Sequence, residues 1–246
     1  MIESIKNRRS IRKYLKRQIE DNLLNEILEV AFRGPTTGNM QLYSVIVTKD
    51  EERKKKLWEI HFKQNMILEA PVVLTFLADF NRFNLWCKSR GVEPVYDNFL
   101  SFITAAIDAI IVAQNVCVIA ESKGLGTCYL GTAIYQADKL IEFFECPEGI
   151  VPIASIVIGY PAEMPEQPDR LPYEKLIHNE TYRQYTWDDI DKIYEYKENM
   201  ELTKRLLEEN KMDNLPRIFV EKRYTKKDIE YFSKILLDVI KRQKFL

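Results

Sequence analysis

A cluster of cations near the amino terminus is the part of the sequence best suited to bind a charged ligand. Residues 8–13 read Arg-Arg-Ser-Ile-Arg-Lys and hold four cations and one hydroxyl group. In an extended segment, Arg8, Ser10 and Arg12 would project from one face. The guanidinium group offers a planar fork of N–H donors to phosphate oxygens. The cluster therefore predicts a binding strip for phosphate and other anionic groups, with a solvated basic turn as the simpler alternative.

Two further segments hold small and polar residues that could approach a ligand. Residues 35–41 (Pro-Thr-Thr-Gly-Asn-Met-Gln) are rich in turn formers with short polar side chains. Residues 125–132 (Leu-Gly-Thr-Cys-Tyr-Leu-Gly-Thr) form a short strand-like run whose glycines would let the backbone lie close to a ligand. The sequence contains only two histidines, His61 and His178, which disfavours histidine-based metal sites and Ser-His-Asp catalysis. We interpret each histidine as an ordinary surface or packing residue.

The element that would position these segments is a helix predicted over residues 104–123. This run has apolar residues on nearly every side and contains no Pro or Gly. A helix that is hydrophobic all round is a buried helix, and Gly124 supplies the left-handed residue that ends many helices. A membrane span is the alternative interpretation. It is disfavoured because Asp108, Gln114 and Asn115 interrupt an apolar run shorter than the roughly 20 residues that a bilayer needs.

Hydrophobic periodicity predicts the remaining elements. Helices are expected over residues 20–33, 50–60, 137–144, 188–210 and 226–242, and buried strands over residues 43–48, 72–78 and 151–159. Four prolines between residues 161 and 172 predict an extended excursion over the surface. The charged helices after Trp187 could form a helical hairpin or a clamp on a partner subunit.

Composition limits the classes of partner. The chain has 246 residues, enough for one large domain or two, and its 36 basic and 37 acidic residues leave a formal charge of −1. This balance gives no reason to expect a nucleic acid or a membrane surface as partner. The four cysteines lie far apart, which favours reduced thiols. Because the first residues lack an apolar signal core, we expect a cytoplasmic protein.

A series of short motifs, taken in order, resembles the FMN-dependent nitroreductase family. The resemblance is greatest to the branch that contains the oxygen-insensitive NADPH nitroreductases and flavin reductases, and it covers residues 1 to about 185. The order of the motifs carries it. They are Arg9-Ser10-Ile11-Arg12, Gln64, Ala78-Asp79-Phe80-Asn81-Arg82, Ala113-Gln114-Asn115, Ala120-Glu121-Ser122, Gly124-Leu125-Gly126, Tyr129-Leu130-Gly131, Gly159-Tyr160-Pro161-Ala162 and Arg170-Leu171-Pro172.

The resemblance implies an α+β sandwich with a mixed, mainly antiparallel sheet and helices on both faces. It also implies an obligate homodimer, with the long central helix at the interface and two FMN molecules between the subunits. Residues 1–185 would form the FMN-binding domain, and residues 186–246 a helical extension of the same domain.

The resemblance also assigns roles to the residues of the strip. Arg8 would contact the FMN phosphate, with help from Ser10 and Arg170, and Arg9 would contribute backbone contacts and ribityl or phosphate hydrogen bonds. Arg12 would point at the N1/O2 edge of the flavin. A fixed cation there stabilises the negative charge that the ring gains on reduction.

The same resemblance places the other segments around the ring. The loop with Thr36, Thr37 and Asn39 would reach the flavin from the second subunit, and Gln64 would hydrogen-bond the polar edge of the ring. Tyr129, Leu130 and Gly131 would lie along the ring, with the N–H of Gly131 facing N5. Glycine suits that place because a side chain would hold the backbone away.

The implied activity is hydride transfer from NADPH or NADH to FMN, then ping-pong reduction of a small acceptor such as a nitroaromatic, a quinone or a flavin. No catalytic acid, base, nucleophile or metal is expected, because the flavin carries the chemistry. A dedicated flavin reductase and a non-catalytic flavin-binding or regulatory protein are the alternatives. Pro168 stands where the family phosphate motif has a lysine, and Asp169 follows it. The choice between NADPH and NADH is left open.

Overall fold

The computed structural model describes residues 2–246, which fold into two compact units. The first unit comprises the chain as far as Glu166 together with Phe232–Leu246, and the second comprises Gln167–Tyr231. These limits differ from the division expected at residues 185 and 186, which stays a prediction about domain organisation.

A four-stranded sheet is the centre of the first unit. Its strands are β1 (Tyr43–Thr48), β2 (Val72–Asp79), β3 (Gly126–Leu130) and β4 (Ile150–Gly159), in the spatial order β1-β2-β4-β3. All three pairings are antiparallel, so the described sheet has no parallel pair, whereas a mixed sheet was expected. The register between β2 and β4 shifts between Phe76 and Leu77, next to Pro152. A shift at this point suits a proline, which cannot donate to the ladder.

Helices cover both faces of this sheet. The first unit carries α1 (Ile2–Lys6), α2 (Asp21–Ala31), α3 (Glu51–Ile60), α4 (Met66–Glu69), α5 (Asn81–Ser89), α6 (Phe99–Ser122) and α7 (Ala137–Phe143). Val72 and Phe76 pack with residues of α2 and α6 in one core. Val73, on the other side of β2, packs with residues of α3, α4 and α7 in a second core. Burial on both faces explains the unbroken apolar runs of the strands, and the predicted α+β sandwich is confirmed.

The central helix α6 begins five residues earlier than predicted. Its start is set by Asn98, whose side-chain oxygen accepts a hydrogen bond from the N–H of Ser101 at 3.1 Å. Its end is set as predicted by Gly124, which has a φ of +81°. Among residues 2–246 it is the one helix that is long and apolar enough to cross a membrane by length and composition. One face of α6, with Val112 and Val116, is fully buried against the sheet.

The amino-terminal segment lies against the edge of the sheet formed by β3 and the end of β4. The N–H of Ile11 donates to the carbonyl of Thr127 at 3.0 Å, and the N–H of Leu15 donates to the carbonyl of Tyr160 at 2.9 Å. This approach depends on Gly126, because a Cβ there would lie 2.6 Å from the side chain of Ile11. The arginine cluster is therefore fixed in an extended conformation along β3.

The second unit is helical. It contains α8 (Trp187–Asn199), α9 (Glu201–Asn210), α10 (Leu215–Ile218) and a π-helical turn (Phe219–Arg223), and α11 (Lys226–Arg242) begins in this unit and ends in the first. A capping box between Thr186 and Asp189 starts α8. The single helix predicted over residues 188–210 is broken at Met200, which has an extended ψ of 142°. No glycine or proline marks this break in the sequence.

Candidate functional site

Arg8 is paired with a carboxylate of the Ala120-Glu121-Ser122 motif, to which the sequence analysis assigned no role. Its Nε lies 3.4 Å from Oε1 of Glu121, and the two side chains are 21% and 11% exposed. The hydroxyl of Thr127 donates to the same carboxylate oxygen. Burial raises the pKa of Glu121, and the hydrogen bond from Thr127 and the charge of Arg8 lower it. The sequence held one signal of this pairing, because an acid in the last turn of a helix opposes the helix dipole unless a cation faces it.

Arg8, Ser10 and Arg12 share one side of the amino-terminal segment, as the alternation of an extended chain predicts. All three act on the thiol of Cys128 in β3: burial raises its pKa, and Arg12, Ser10 and Arg8 each lower it. Arg12 is exposed, and it makes no hydrogen bond or ion pair with any residue from 2 to 246. Within the described residues, Arg12 is therefore the one cation of the strip that has neither an ion pair nor a hydrogen bond.

Arg9 has a different position and a structural task. Its Nε donates to the carbonyl of Asn7 and its Nη1 to the carbonyl of Pro165, both at 3.1 Å. The bond to Pro165 fastens the strip to the chain that follows β4. Arg8 and Arg9 line a cavity of about 190 Å³ that also includes Glu121.

The loop of residues 35–42 is held by a buried aspartate of the central helix. Asp108 is 1% exposed, and its carboxylate accepts hydrogen bonds from the N–H of Thr37 at 3.0 Å and from the N–H of Leu42 at 3.2 Å. The hydroxyl of Thr37 donates to the same group at 3.3 Å. Asn39 stands in the left-handed region with a φ of 57°. Asp108 therefore fixes the loop that carries Thr36, Thr37 and Asn39 to its own subunit's α6.

The residue directly after β3 is a glycine that the fold does not require. Gly131 is exposed, its φ is not positive, and a Cβ added to it would meet no atom within 4 Å. Tyr129 is half-buried, whereas Leu130 is 1% exposed and packs in the second core. A ligand at this place could therefore contact the backbone of Leu130 and Gly131 but not the side chain of Leu130.

Gln64 is brought to the end of β3 by a histidine. The side-chain Nε2 of Gln64 donates to Oγ1 of Thr132 at 3.1 Å, next to Gly131. Nδ1 of His61 lies 2.7 Å from the same hydroxyl oxygen. His61 is fully buried, and burial lowers its pKa to about 4. His61 is therefore a buried packing residue, one of the two roles expected for it, and its contact with Thr132 is one that no local pattern shows.

Comparison with known proteins decides the family. The model of the nitroreductase family matches residues 5–160, which lie within the first unit. The chain belongs to the nitroreductase family. This confirms the identification made from the order of the motifs.

Relatives of this nitroreductase agree in sequence and in fold. It is 36% identical over 189 residues to a Bacillus subtilis protein named FMN reductase [NAD(P)H], covering 74% of each chain. It superimposes on a crystal structure from Bacteroides fragilis with a TM-score of 0.98, 50% identity and 99% coverage of both chains. It also matches the NfrA1 nitroreductase of Bacillus subtilis with a TM-score of 0.88 and 26% identity, over 99% of this chain and 98% of the other.

The segment that departs from the family pattern lies in the second unit of this nitroreductase. Nη1 of Arg170 donates to the carbonyl of Asp169 at 2.8 Å and to the carbonyl of Pro168 at 3.3 Å. The carboxylate of Asp169 lies 2.7 Å from Nζ of Lys197, and both side chains are half-buried. The negative charge of Asp169 is thus paired with a cation within its own unit.

Proposed function

We infer that this protein is an FMN-dependent oxidoreductase that takes a hydride from NADPH or NADH and reduces a small acceptor. The acceptors that suit this chemistry are nitroaromatics, quinones and free flavins. Membership of the nitroreductase family supports the inference, as does a relative named FMN reductase [NAD(P)H]. The observation that carries it is the exposed, unpaired Arg12 on the strip along β3, the strand that ends at the open backbone of Gly131.

The residues present fit a flavin nucleotide. Gly131 leaves open space where a flat ring can lie against backbone, and an added side chain would fill that space without any gain in packing. Arg12 supplies a cation without a counter-charge, which suits a group that becomes anionic on reduction. When bound, FMN supplies the hydride chemistry, and the protein supplies binding, orientation and electrostatics.

The phosphate of the cofactor is assigned to Arg8 and Ser10 in the first unit, and the contact expected of Arg170 stays a prediction. Nε of Arg8 faces Glu121, and a guanidinium group has further N–H donors that can serve phosphate oxygens. Arg9 holds the strip in place through backbone carbonyls. Arg12 is assigned to the N1/O2 edge of the ring, and the N–H of Gly131 to N5, with Tyr129 and Leu130 along the ring.

The working form is proposed to be a homodimer. Four apolar side chains of α6 at helical spacing are more than a third exposed in the single chain, namely Leu100, Ile103, Ile107 and Ile110. Such a stripe is typical of an interface, since exposed apolar patches on monomers are small. The loop with Thr36, Thr37 and Asn39 is proposed to reach the cofactor of the partner subunit. We place the reaction in the cytoplasm, in keeping with four free cysteines.

The test is to purify the protein and identify its flavin. We expect a yellow protein that releases FMN, not FAD, on heating, because the site is built around one terminal phosphate. Anaerobic addition of NADPH or NADH should bleach the absorbance, and the faster of the two identifies the preferred donor. If neither nucleotide bleaches the bound flavin, the protein is a non-catalytic flavin binder. If the protein binds no flavin, the proposed site is refuted.

A second candidate activity is dedicated reduction of free flavin. The name of the Bacillus subtilis relative is compatible with this activity and does not favour it over the broader one. Steady-state rates with free FMN, a nitroaromatic and a quinone separate the two activities. A kcat/KM for free FMN that exceeds those for the other acceptors by about a hundredfold, some 2.7 kcal/mol, would favour the dedicated flavin reductase.

A further inference from the structure

The amide group of Gln64 has an orientation that its neighbours determine. One atom of this amide lies 3.1 Å from the backbone carbonyl of His61, which can only accept a hydrogen bond. That atom is therefore the nitrogen. Its second hydrogen is donated to Oγ1 of Thr132 at 3.1 Å. With both N–H groups committed, the only polar atom that Gln64 has left for a ligand is its carbonyl oxygen.

His61 and Thr132 together support this arrangement. Nδ1 of His61 lies 2.7 Å from the Thr132 hydroxyl, and Nε2 of His61 is buried without a partner among the described residues. A buried N–H without a partner is rarer than a buried acceptor without one, so the proton belongs on Nδ1, which donates to Thr132. The hydroxyl oxygen then accepts from both His61 and Gln64.

The backbone between His61 and Gln64 has a strained conformation. Phe62 and Lys63 both stand in the left-handed region, with φ values of 55° and 58°. Non-glycine residues persist there only where surrounding contacts determine them. The N–H of Lys63 donates to the carbonyl of Trp58 at 2.7 Å, which closes the turn. The turn returns Gln64 to the side of His61.

We propose that His61 and Thr132 are positioning residues that hold Gln64 with its carbonyl oxygen available, so that the flavin ring is recognised through its N–H group at N3. N3 carries the only N–H of the oxidised isoalloxazine ring, and the other polar ring atoms are acceptors. Gln64 in this orientation can serve N3–H and none of the acceptors. The proposal rests on the proposed flavin site and adds the orientation of its ring-edge contact.

The consequence is discrimination against a flavin that lacks this donor. A site built to accept a hydrogen bond rejects an analogue without the N–H group, because the acceptor is then covered by the ligand and left unpaired. N3-methyl-FMN has the same phosphate and ribityl chain as FMN. For the flavin-free protein, we expect the dissociation constant of N3-methyl-FMN to be at least about tenfold larger than that of FMN.

The experiment measures both dissociation constants for the full-length protein and two pairs of matched variants. His61→Asn retains an N–H donor near the position of Nδ1, and His61→Leu removes it. Thr132→Ser retains the hydroxyl, and Thr132→Val removes it. The ratio of the two constants should stay near the wild-type ratio in His61→Asn and Thr132→Ser, and should fall to within about threefold of unity in His61→Leu and Thr132→Val.

A spectroscopic readout separates positioning from general damage. One Raman band of bound FMN shifts when N3–H is exchanged for deuterium. Its frequency should move towards that of FMN in water in His61→Leu and Thr132→Val, but not in the matched variants His61→Asn and Thr132→Ser. An unchanged ratio and band in both of these variants would overturn the positioning role while leaving the flavin site intact. Failure of the wild-type protein to bind FMN at all would instead overturn the proposed function.

Discussion

The pair formed by Arg8 and Glu121 allows the structural and the binding roles of one arginine to be measured separately. Substitution Arg8→Ala removes a cation whose Nε lies 3.4 Å from a carboxylate that is 11% exposed. The carboxylate keeps the hydrogen bond from Thr127 but loses its counter-charge. The protein should therefore lose stability even without its cofactor.

The size of this loss follows from the distance and the exposure. Two charges at this distance interact by about 5 kcal/mol at the effective dielectric constant near a protein surface. Removal of one member of a buried pair costs about 3–5 kcal/mol. Because both side chains are partly exposed, we expect a cost of about 2 kcal/mol. For a chain of this length that lowers Tm by roughly 4–8 °C.

The loss should depend on pH in one direction. Burial raises the pKa of Glu121 above its ordinary value, so the folded protein binds this proton more tightly than the unfolded chain. Stability due to this group therefore falls as pH rises through the interval between the ordinary and the raised pKa. Since Arg8 lowers the pKa of Glu121, Arg8→Ala raises it further and extends that interval upward. The variant should be close to wild type below about pH 4 and should lose most at neutral pH.

The assay is thermal unfolding of the flavin-free wild type, Arg8→Ala, Glu121→Gln and the double variant at several pH values, with FMN affinity measured in parallel. Glu121→Gln should restore the stability of Arg8→Ala because no charge is left unpaired. It should not restore FMN affinity, which we expect to fall ten- to a hundredfold when a charge-assisted hydrogen bond to phosphate is lost. A stability loss of equal size at pH 4 and pH 7.5, or no recovery in the double variant, would refute the reasoning.

Three further predictions concern the remaining parts of the site. Arg12→Ala should lower the reduction potential of bound FMN and should weaken the affinity for oxidised FMN to a smaller extent, whereas Arg12→Lys should leave the reduction potential close to the wild-type value. Spectroelectrochemical titration measures both potentials, and an unchanged potential in Arg12→Ala would show that Arg12 is a surface residue. Ile107→Glu should convert a dimer into a monomer of about the chain mass of 29.1 kDa by light scattering, whereas Leu68→Glu, an exposed apolar position on α4, should leave the dimer intact. Gly131→Ala should weaken FMN binding, and its free energy of unfolding should lie within about 0.5 kcal/mol of the wild-type value. Gly126→Ala should instead lose about 1–3 kcal/mol of stability, because its Cβ would overlap Ile11.

The regular elements of the first unit could be predicted from the sequence because their signals are local. The apolar run around Val112 favours a buried helix wherever the chain folds it, and Gly124 ends that helix through its own φ of +81°. Strand β1 was predicted with its observed limits, Tyr43–Thr48. The order of short motifs likewise identified the family, because each motif is read along the chain. The roles of the individual flavin contacts stay predictions.

The sequence predicted two helix limits incorrectly, the start of α6 and the break between α8 and α9. The start of α6 was placed too late because Asn98 and Ser101 are polar, and their hydrogen bond exists only once the first turn forms. The break at Met200 between α8 and α9 was missed because residues on both sides favour helix. In both cases a single local contact, and not the average composition, decided the limit.

The sequence by itself determined the helices α2, α3, α6, α7 and α11, the strands, the arginine strip and the family. Only the tertiary structure decided that Glu121 faces Arg8, that Asp108 holds the loop of Thr37, and that His61 meets Thr132 across 71 residues of chain. Each of these pairs depends on long-range packing against the sheet, whose order β1-β2-β4-β3 is not the order of the chain. Local patterns indicate which side of an element is buried. The partner of a buried polar group depends instead on the packing of the whole core, because such a group needs a hydrogen bond wherever the fold places it.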